Sequence, residues 1–313
     1  MKELLVDFLI CPSCLPLEAP LKCLISEKDG EDILSGSLYC PQCNHHYPIQ
    51  DGIAIILPVS SEVDPQVPSK YENAILVSSY LWAHYADILK DMNATAAYEE
   101  WAELLRDDSG VSLDAGCSVG RFTFEMSRKS GFAVGIDNSR AFIKTARQLM
   151  IDSQMAFSIP EEGLLKEQRI IKLPETFDSA KVEFVVGDVQ YLPFRGNTFS
   201  SVASLNLVDK IPSPLAHLRE MNRVAGETNA QFLFSDPFSW SADVAAEGKW
   251  LGGTTEGPYS GKGIDNIRSL LTTGGEGFSP RWQIEKQDRI WWKIRNHKNH
   301  FELIRSCYIK AIR

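Results

Sequence analysis

The chain reads as an α/β protein: a mostly parallel sheet flanked by helices, closed by an antiparallel edge and preceded by a small cysteine-stapled module. Three observations predict this. Two Cys-Pro-x-Cys knuckles, Cys11–Cys14 and Cys40–Cys43, stand near the start of the 313 residues. A strand–turn–helix signature follows at Val111-Ser112-Leu113-Asp114-Ala115-Gly116-Cys117-Ser118-Val119-Gly120-Arg121. After it, short apolar runs alternate with segments of helical periodicity, the pattern of a sheet with crossover helices.

Taken in order, Met1 to Ile10 predicts a short amphipathic helix leading into the first knuckle. Leu21-Lys22-Cys23-Leu24-Ile25 alternates like a strand, an acidic turn lies at 27–32, and Ile53–Leu57 is strand-like after the turn Tyr47–Gly52. Residues 1–58 are therefore expected to form one unit. Residues 59–70, with Pro65 and Pro68 among polar neighbours, are expected to be a linker, and 71–313 a second domain. A helical region is expected over 71–105. Strands are predicted at 111–114, 133–137, 182–187, 201–207 and 231–235, with helices at 121–130, 139–150 and 214–224. Two β-like runs, 282–294 and 301–312, would close the antiparallel edge.

Composition narrows the function. With 44% hydrophobic and 23% charged residues the chain is ordinary for a globular protein, and no apolar run approaches the roughly 18 residues a membrane crossing needs. Glu3 and Asp7 interrupt the N-terminal apolar stretch, which makes a poor signal peptide. The expectation is a cytoplasmic protein with reduced thiols, where cysteine pairs hold metal rather than form disulfides. A formal charge of −9 argues against a broad grip on nucleic acid and fits a small-molecule substrate. The basic residues between Arg289 and Arg313 are expected on a solvated strand face.

Cys-x₂-Cys, 25 intervening residues and a second Cys-x₂-Cys fit a four-thiolate zinc site at Cys11, Cys14, Cys40 and Cys43. A unit this small buries little apolar surface, so the metal would supply stability. Such a site is closed, which assigns the zinc a structural role. Cys23 is expected to pack in a strand, and His45 and His46 to lie on the surface. Through Leu34-Ser35-Gly36-Ser37-Leu38-Tyr39-Cys40-Pro41-Gln42-Cys43 and Tyr47-Pro48-Ile49-Gln50-Asp51-Gly52-Ile53, the unit resembles the Trm112-like zinc-binding family. The resemblance implies a module that supports a methyltransferase rather than one that performs chemistry.

In the second domain, Gly116, Ser118 and Gly120 carry the chain from strand to helix, where close backbone approach and helix-terminal N–H groups can receive a ligand. A dinucleotide turn would want a third glycine where Val119 and Arg121 stand. The pattern instead resembles motif I of class I methyltransferases that use S-adenosylmethionine (SAM), with Ser118 in place of the more usual central glycine. That resemblance implies a Rossmann-like class I methyltransferase fold. Asp114 and its turn would meet the cofactor, and Asp137, 23 positions on and followed by Asn138, would bond its ribose. Asp188 and Val189 would meet its adenine, and Asn206 would line the carboxyl edge.

Over 71–313 the chain also resembles the N-methyltransferases of ovothiol biosynthesis, which act on mercaptohistidine. The matching stretches include Tyr80-Leu81-Trp82-Ala83-His84-Tyr85, Trp250-Leu251-Gly252-Gly253 and Ile294-Arg295-Asn296-His297. The resemblance implies N-methylation of a small imidazole-containing amino acid, chiefly a positioning task because a neutral imidazole already offers a free lone pair. Tyr71, Tyr85 or Trp250 would face the sulfonium, His84 or Asp209 would orient the imidazole, and Arg295 would pair with a substrate carboxylate. Packing alone is the competing account of Tyr80 and His84, one helical turn apart, and of Trp291 and Trp292. Two other classes fit parts of the sequence. The ribbon suggests a methyltransferase acting on RNA or on a translation-related protein, which a salt-dependent RNA shift would support. Ser118 suggests a silent SAM-binding scaffold, which an absence of turnover would support.

Overall fold

In the computed structural model, which describes residues 1–59, 70–275 and 277–313, residues 22–56 form an antiparallel meander. Its strands are β1 (Lys22–Asp29), β2 (Asp32–Tyr39), β3 (His46–Gln50) and β4 (Ile53–Ile56). Helices α1 (Ala74–Tyr85) and α2 (Ala97–Glu103) follow. Then come β5 (Val111–Ala115), α3 (Arg121–Ser127), β6 (Phe132–Asp137) and α4 (Arg140–Asp152). A hairpin of β7 (Gln154–Glu162) and β8 (Leu165–Lys172) precedes β9 (Val182–Gly187) and β10 (Ser201–Leu205). The chain ends with α5 (Pro214–Val224), β11 (Gln231–Asp236), α6 (Gly263–Thr273), β12 (Gln283–His297) and β13 (His300–Ile312).

Eleven strands make one sheet in the order β1-β2-β3-β4-β9-β6-β5-β10-β11-β13-β12. From β4 to β11 the strands beyond the meander pair in parallel, and β13 and β12 add antiparallel. Helices cover both faces of the parallel part, so β9 and β11 are buried at all six positions each and read as continuous runs. The ends of β5, β6, β9 and β10 converge on one edge, where open α/β sheets bind ligands.

The N-terminal unit is continuous with this sheet. β4 pairs with β9 through Ile55 opposite Val186 and Ile56 opposite Gly187. Ile10 N–H donates to the Pro193 carbonyl and Arg195 N–H to that of Phe8, both at 3.0 Å. Arg147 on α4 reaches across to Asp32, to the Asp51 carbonyl and, at 2.9 Å, to Glu183. Its guanidinium lies where the Cβ of any residue but glycine at position 52 would fall, and Gly52 also holds φ +73°. Arg147 and Glu183 are almost fully buried, a pairing that makes loss of either partner costly.

Several expectations need correction. The first residues form a 3₁₀ helix, Glu3–Phe8. The helical region 71–105 breaks at 86–96, where Asp91 accepts a 2.9 Å bond from Trp82 Nε1. The polar stretch after Met150 is the β7–β8 hairpin, in which Met155, Phe157 and Ile159 alternate along β7 while β8 carries charge on both faces. Helix α6 was not expected. The basic C-terminal run is not simply solvated, for Arg295 and Lys310 are 3% and 2% exposed. Most of the expected linker, residues 60–69, lies outside the described residues.

Candidate functional site

The four cysteine sulfurs of the N-terminal unit converge. All lie within 4.8 Å of one another, with Cys11 to Cys43 at 3.6 Å and Cys14 to Cys40 at 3.8 Å. Thiolates about 2.3 Å from a tetrahedral zinc sit about 3.8 Å apart, so the donor set and spacing fit that ion. His45 and His46 are not in the cluster. Tyr47 is the neighbour the sequence did not single out: its hydroxyl sits 3.1 Å from Cys11 Sγ and 3.0 Å from Ser13 Oγ. Such outer contacts orient ligands.

The second centre is a cleft of about 520 Å³ at the carboxyl edge of the sheet. Asp114, Gly116, Ser118, Asp137, Asn138, Asp188, Val189 and Asn206 all line it, and Tyr71 stands among them. Ser118 holds φ +49° and gives its N–H to Asp137 at 3.0 Å; Asp137 also receives Ser139 N–H at 2.9 Å. Enclosure pushes the Asp137 carboxyl up to about 6, against the pull of those bonds. Burial pushes Asp114 up to about 7, although Thr123 donates to it at 2.8 Å. The Ser118 hydroxyl is buried without a protein partner. An unpaired buried hydroxyl beside acceptors for ribose hydroxyls is what a bound nucleoside would complete, and these residues fit SAM.

The other end of the cleft is walled by rings. Tyr80 lies 5.0 Å from Phe142, 5.9 Å from His84 and 6.3 Å from both Tyr71 and Trp292, centroid to centroid. His84 also lies 4.5 Å from Tyr98. Burial, and then Arg121, holds the His84 imidazole well below its usual pKa, so it is neutral. Its Nδ1 has no partner. Lys210 and Glu302 add one charge of each sign to the lining.

Five residues expected at the site do not line it. Tyr85 turns away from His84 around α1, is fully buried, and donates to the Val119 carbonyl at 2.9 Å. Arg295 follows the two-residue period of β12: Trp292 and Ile294 face the cleft, while Arg295 points across the sheet to Glu167 at 3.2 Å and Asp91 at 4.0 Å. Gly120 caps α3 beneath the cleft at φ +85°, where a Cβ would lie 2.7 Å from the Phe184 ring. Trp250 stacks on Trp240 and bonds the Ala245 carbonyl. Asp209 sits just behind the lining, accepting Ser239 N–H at 2.7 Å and pairing with Lys210 at 3.1 Å. Trp292 packs in the core as expected and is also a wall of the cleft. Tyr98, Phe142, Lys210 and Glu302 were not singled out, because nothing local in sequence marks them.

Residues 113–227 match the methyltransferase domain family and residues 2–52 the Trm112p-like protein family. Among curated proteins no relative matches the chain. Solved structures to which the chain is similar include a SAM-dependent methyltransferase from Methanosarcina mazei (17% identity, 67% of this chain and 94% of that one, TM-score 0.43). A second is a putative methyltransferase from Bacillus halodurans (14%, 69% and 98%, 0.44). A third is the magnesium protoporphyrin IX methyltransferase of Synechocystis with bound SAM (15%, 80% and 86%, 0.41). Among the described residues no helix is long and apolar enough to cross a membrane. The family matches and the cleft agree: the chain carries a methyltransferase domain, with a cleft whose residues fit SAM, and a Trm112p-like module at its N-terminal end.

Proposed function

We propose that the enzyme N-methylates a small imidazole-containing amino acid such as mercaptohistidine. One observation carries this reading: a neutral histidine with an unpaired Nδ1 stands inside an aromatic-walled pocket next to the cofactor turn. A planar heterocycle packs against the Tyr80 and Trp292 wall, and His84 Nδ1 hydrogen-bonds the ring nitrogen that is not methylated. That fixes which lone pair faces the methyl source. SAM supplies an activated methyl on a sulfonium. The walls exclude water, Tyr71 and Tyr80 present ring faces to positive charge, and no strong base is required. With Arg295 turned away, Lys210 takes the role of carboxylate partner, and Glu302 faces the amino group.

A methyl-transfer assay over imidazoles, thiols and tRNA tests the reading. Methylation of mercaptohistidine or a related imidazole, lost in His84→Leu, supports it. Turnover of tRNA or a protein with no imidazole product overturns it.

A further inference from the structure

His217 is a buried histidine that the reaction above does not use. It is fully buried on α5 and touches two elements of the cofactor side. Its Nδ1 lies 3.1 Å from the Val189 carbonyl oxygen and its Nε2 2.9 Å from Ser204 Oγ. A carbonyl only accepts, so Nδ1 carries the proton. Nε2 is then the acceptor, and the Ser204 hydroxyl must donate to it. The two contacts thus fix one tautomer, and burial keeps the ring neutral by lowering its pKa to about 4.

Val189 lies in the cleft directly after Asp188. The Asp188 carboxylate accepts Gln190 N–H at 2.9 Å, so the backbone at 188–190 sets where that carboxylate points. The same α5 face grips the chain further on. Glu220 accepts Leu192 N–H at 2.8 Å, and Arg223 donates to the Leu192 and Phe194 carbonyls at 2.9 and 2.7 Å. Those contacts fix the distal part of the segment, and His217 alone among the three reaches the part that lines the cleft.

We propose that His217 is a positioning residue for the cofactor's purine, setting the Asp188–Val189 turn through a hydrogen bond to the Val189 carbonyl. This rests on Asp188 facing the adenine amino group. His217 does not touch the cofactor. It acts by holding one carbonyl so that the neighbouring carboxylate keeps its aim, the task that outer hydrogen bonds perform for metal ligands.

The test compares S-adenosylhomocysteine with S-inosylhomocysteine, which lacks the adenine amino group, by calorimetry on the full chain. The wild type should prefer the adenosyl compound, and Asp188→Ala should abolish the preference. His217→Leu should bind the adenosyl compound about tenfold more weakly, the scale of one well-made hydrogen bond, and bind the inosyl compound nearly as before. Its KM for SAM should rise while kcat at saturation stays within about twofold. His217→Asn, whose amide N–H can replace Nδ1–H, should restore most of the preference. Because His217→Leu can fail to fold, the ¹⁵N shifts of His217 in the wild type give a second reading. A proton on Nδ1 is expected, and one on Nε2 overturns the proposal. So does an undiminished adenosyl preference in folded His217→Leu. A wild type that shows no preference, with Asp188→Ala unchanged, overturns the adenine assignment instead.

Discussion

The two ends of the cleft are built by different means. At the cofactor end the work is done by backbone at the tips of β5, β6 and β9. Ser118 N–H bonds Asp137, and each tip carries its acidic residue or turn within a few positions of a strand end. At the acceptor end the walls come from helices and the sheet edge, and only Lys210 stands on a short turn after β10. Tyr80 and His84 come from α1, Tyr98 from α2, Phe142 from α4, and Trp292 and Glu302 from the antiparallel edge. The first end is specified locally and tolerates change elsewhere. The second exists only once five elements have packed, so its shape depends on the whole domain.

The largest expected effect breaks the frame that both ends share. Cys40→Ser should lower bound zinc from one per chain toward none by elemental analysis, and lower the melting temperature by on the order of 10 °C. Unchanged metal content and melting would remove the zinc assignment. Next in size, Asp137→Ala should weaken SAM by about 1–3 kcal/mol in calorimetry if, as we propose, its carboxylate is the charge-assisted acceptor for ribose. A matching change in Tyr80→Ala, with SAM affinity kept but acceptor KM raised, would confirm that the two ends are separable.

The pH dependence sharpens the same contrast. A carboxyl raised to about 6 in the folded protein takes up protons that an unfolded Asp, near 3.8, does not hold between those values. Its stabilising contribution is therefore full below about 3.8 and is lost as pH rises through about 6. Ribose binding has the opposite sense, since only the ionised carboxylate accepts two hydroxyls. SAM affinity should rise as pH climbs through about 6, and Asp137→Asn should flatten the profile; a wild-type profile already flat over that range would contradict the role. The smallest effect is expected for Tyr85→Phe. It removes one buried bond to Val119, about 1 kcal/mol of stability by denaturation, and leaves kcat nearly intact because the ring faces the core. A large fall in kcat would return Tyr85 to the site.

How much could be read beforehand follows the same division. The knuckles, the Asp114–Arg121 turn, Asp137 and Asp188 are short-range patterns whose chemistry is tied to position along a strand, and the cleft lines up most of them. Arg295 misled because a residue's face on a strand depends on register, and register in β12 is set by its pairing with β13. Tyr85 misled because adjacent helical residues point about 100° apart. Trp292, Lys210 and Glu302 carry no local signature. The β7–β8 hairpin escaped because β8 carries charge on both of its faces.

The pairing of β4 with β9 fixes stoichiometry. A separate supporting subunit would cover that edge only at concentrations above its dissociation constant, and one pool of it could be divided among several enzymes. Joined in one chain, the two strands meet at an effective concentration set by the connection between them. The edge of β9 is then occupied whatever the cell's protein level, one ribbon is committed to one catalytic domain, and dilution in the test tube should not switch the enzyme off.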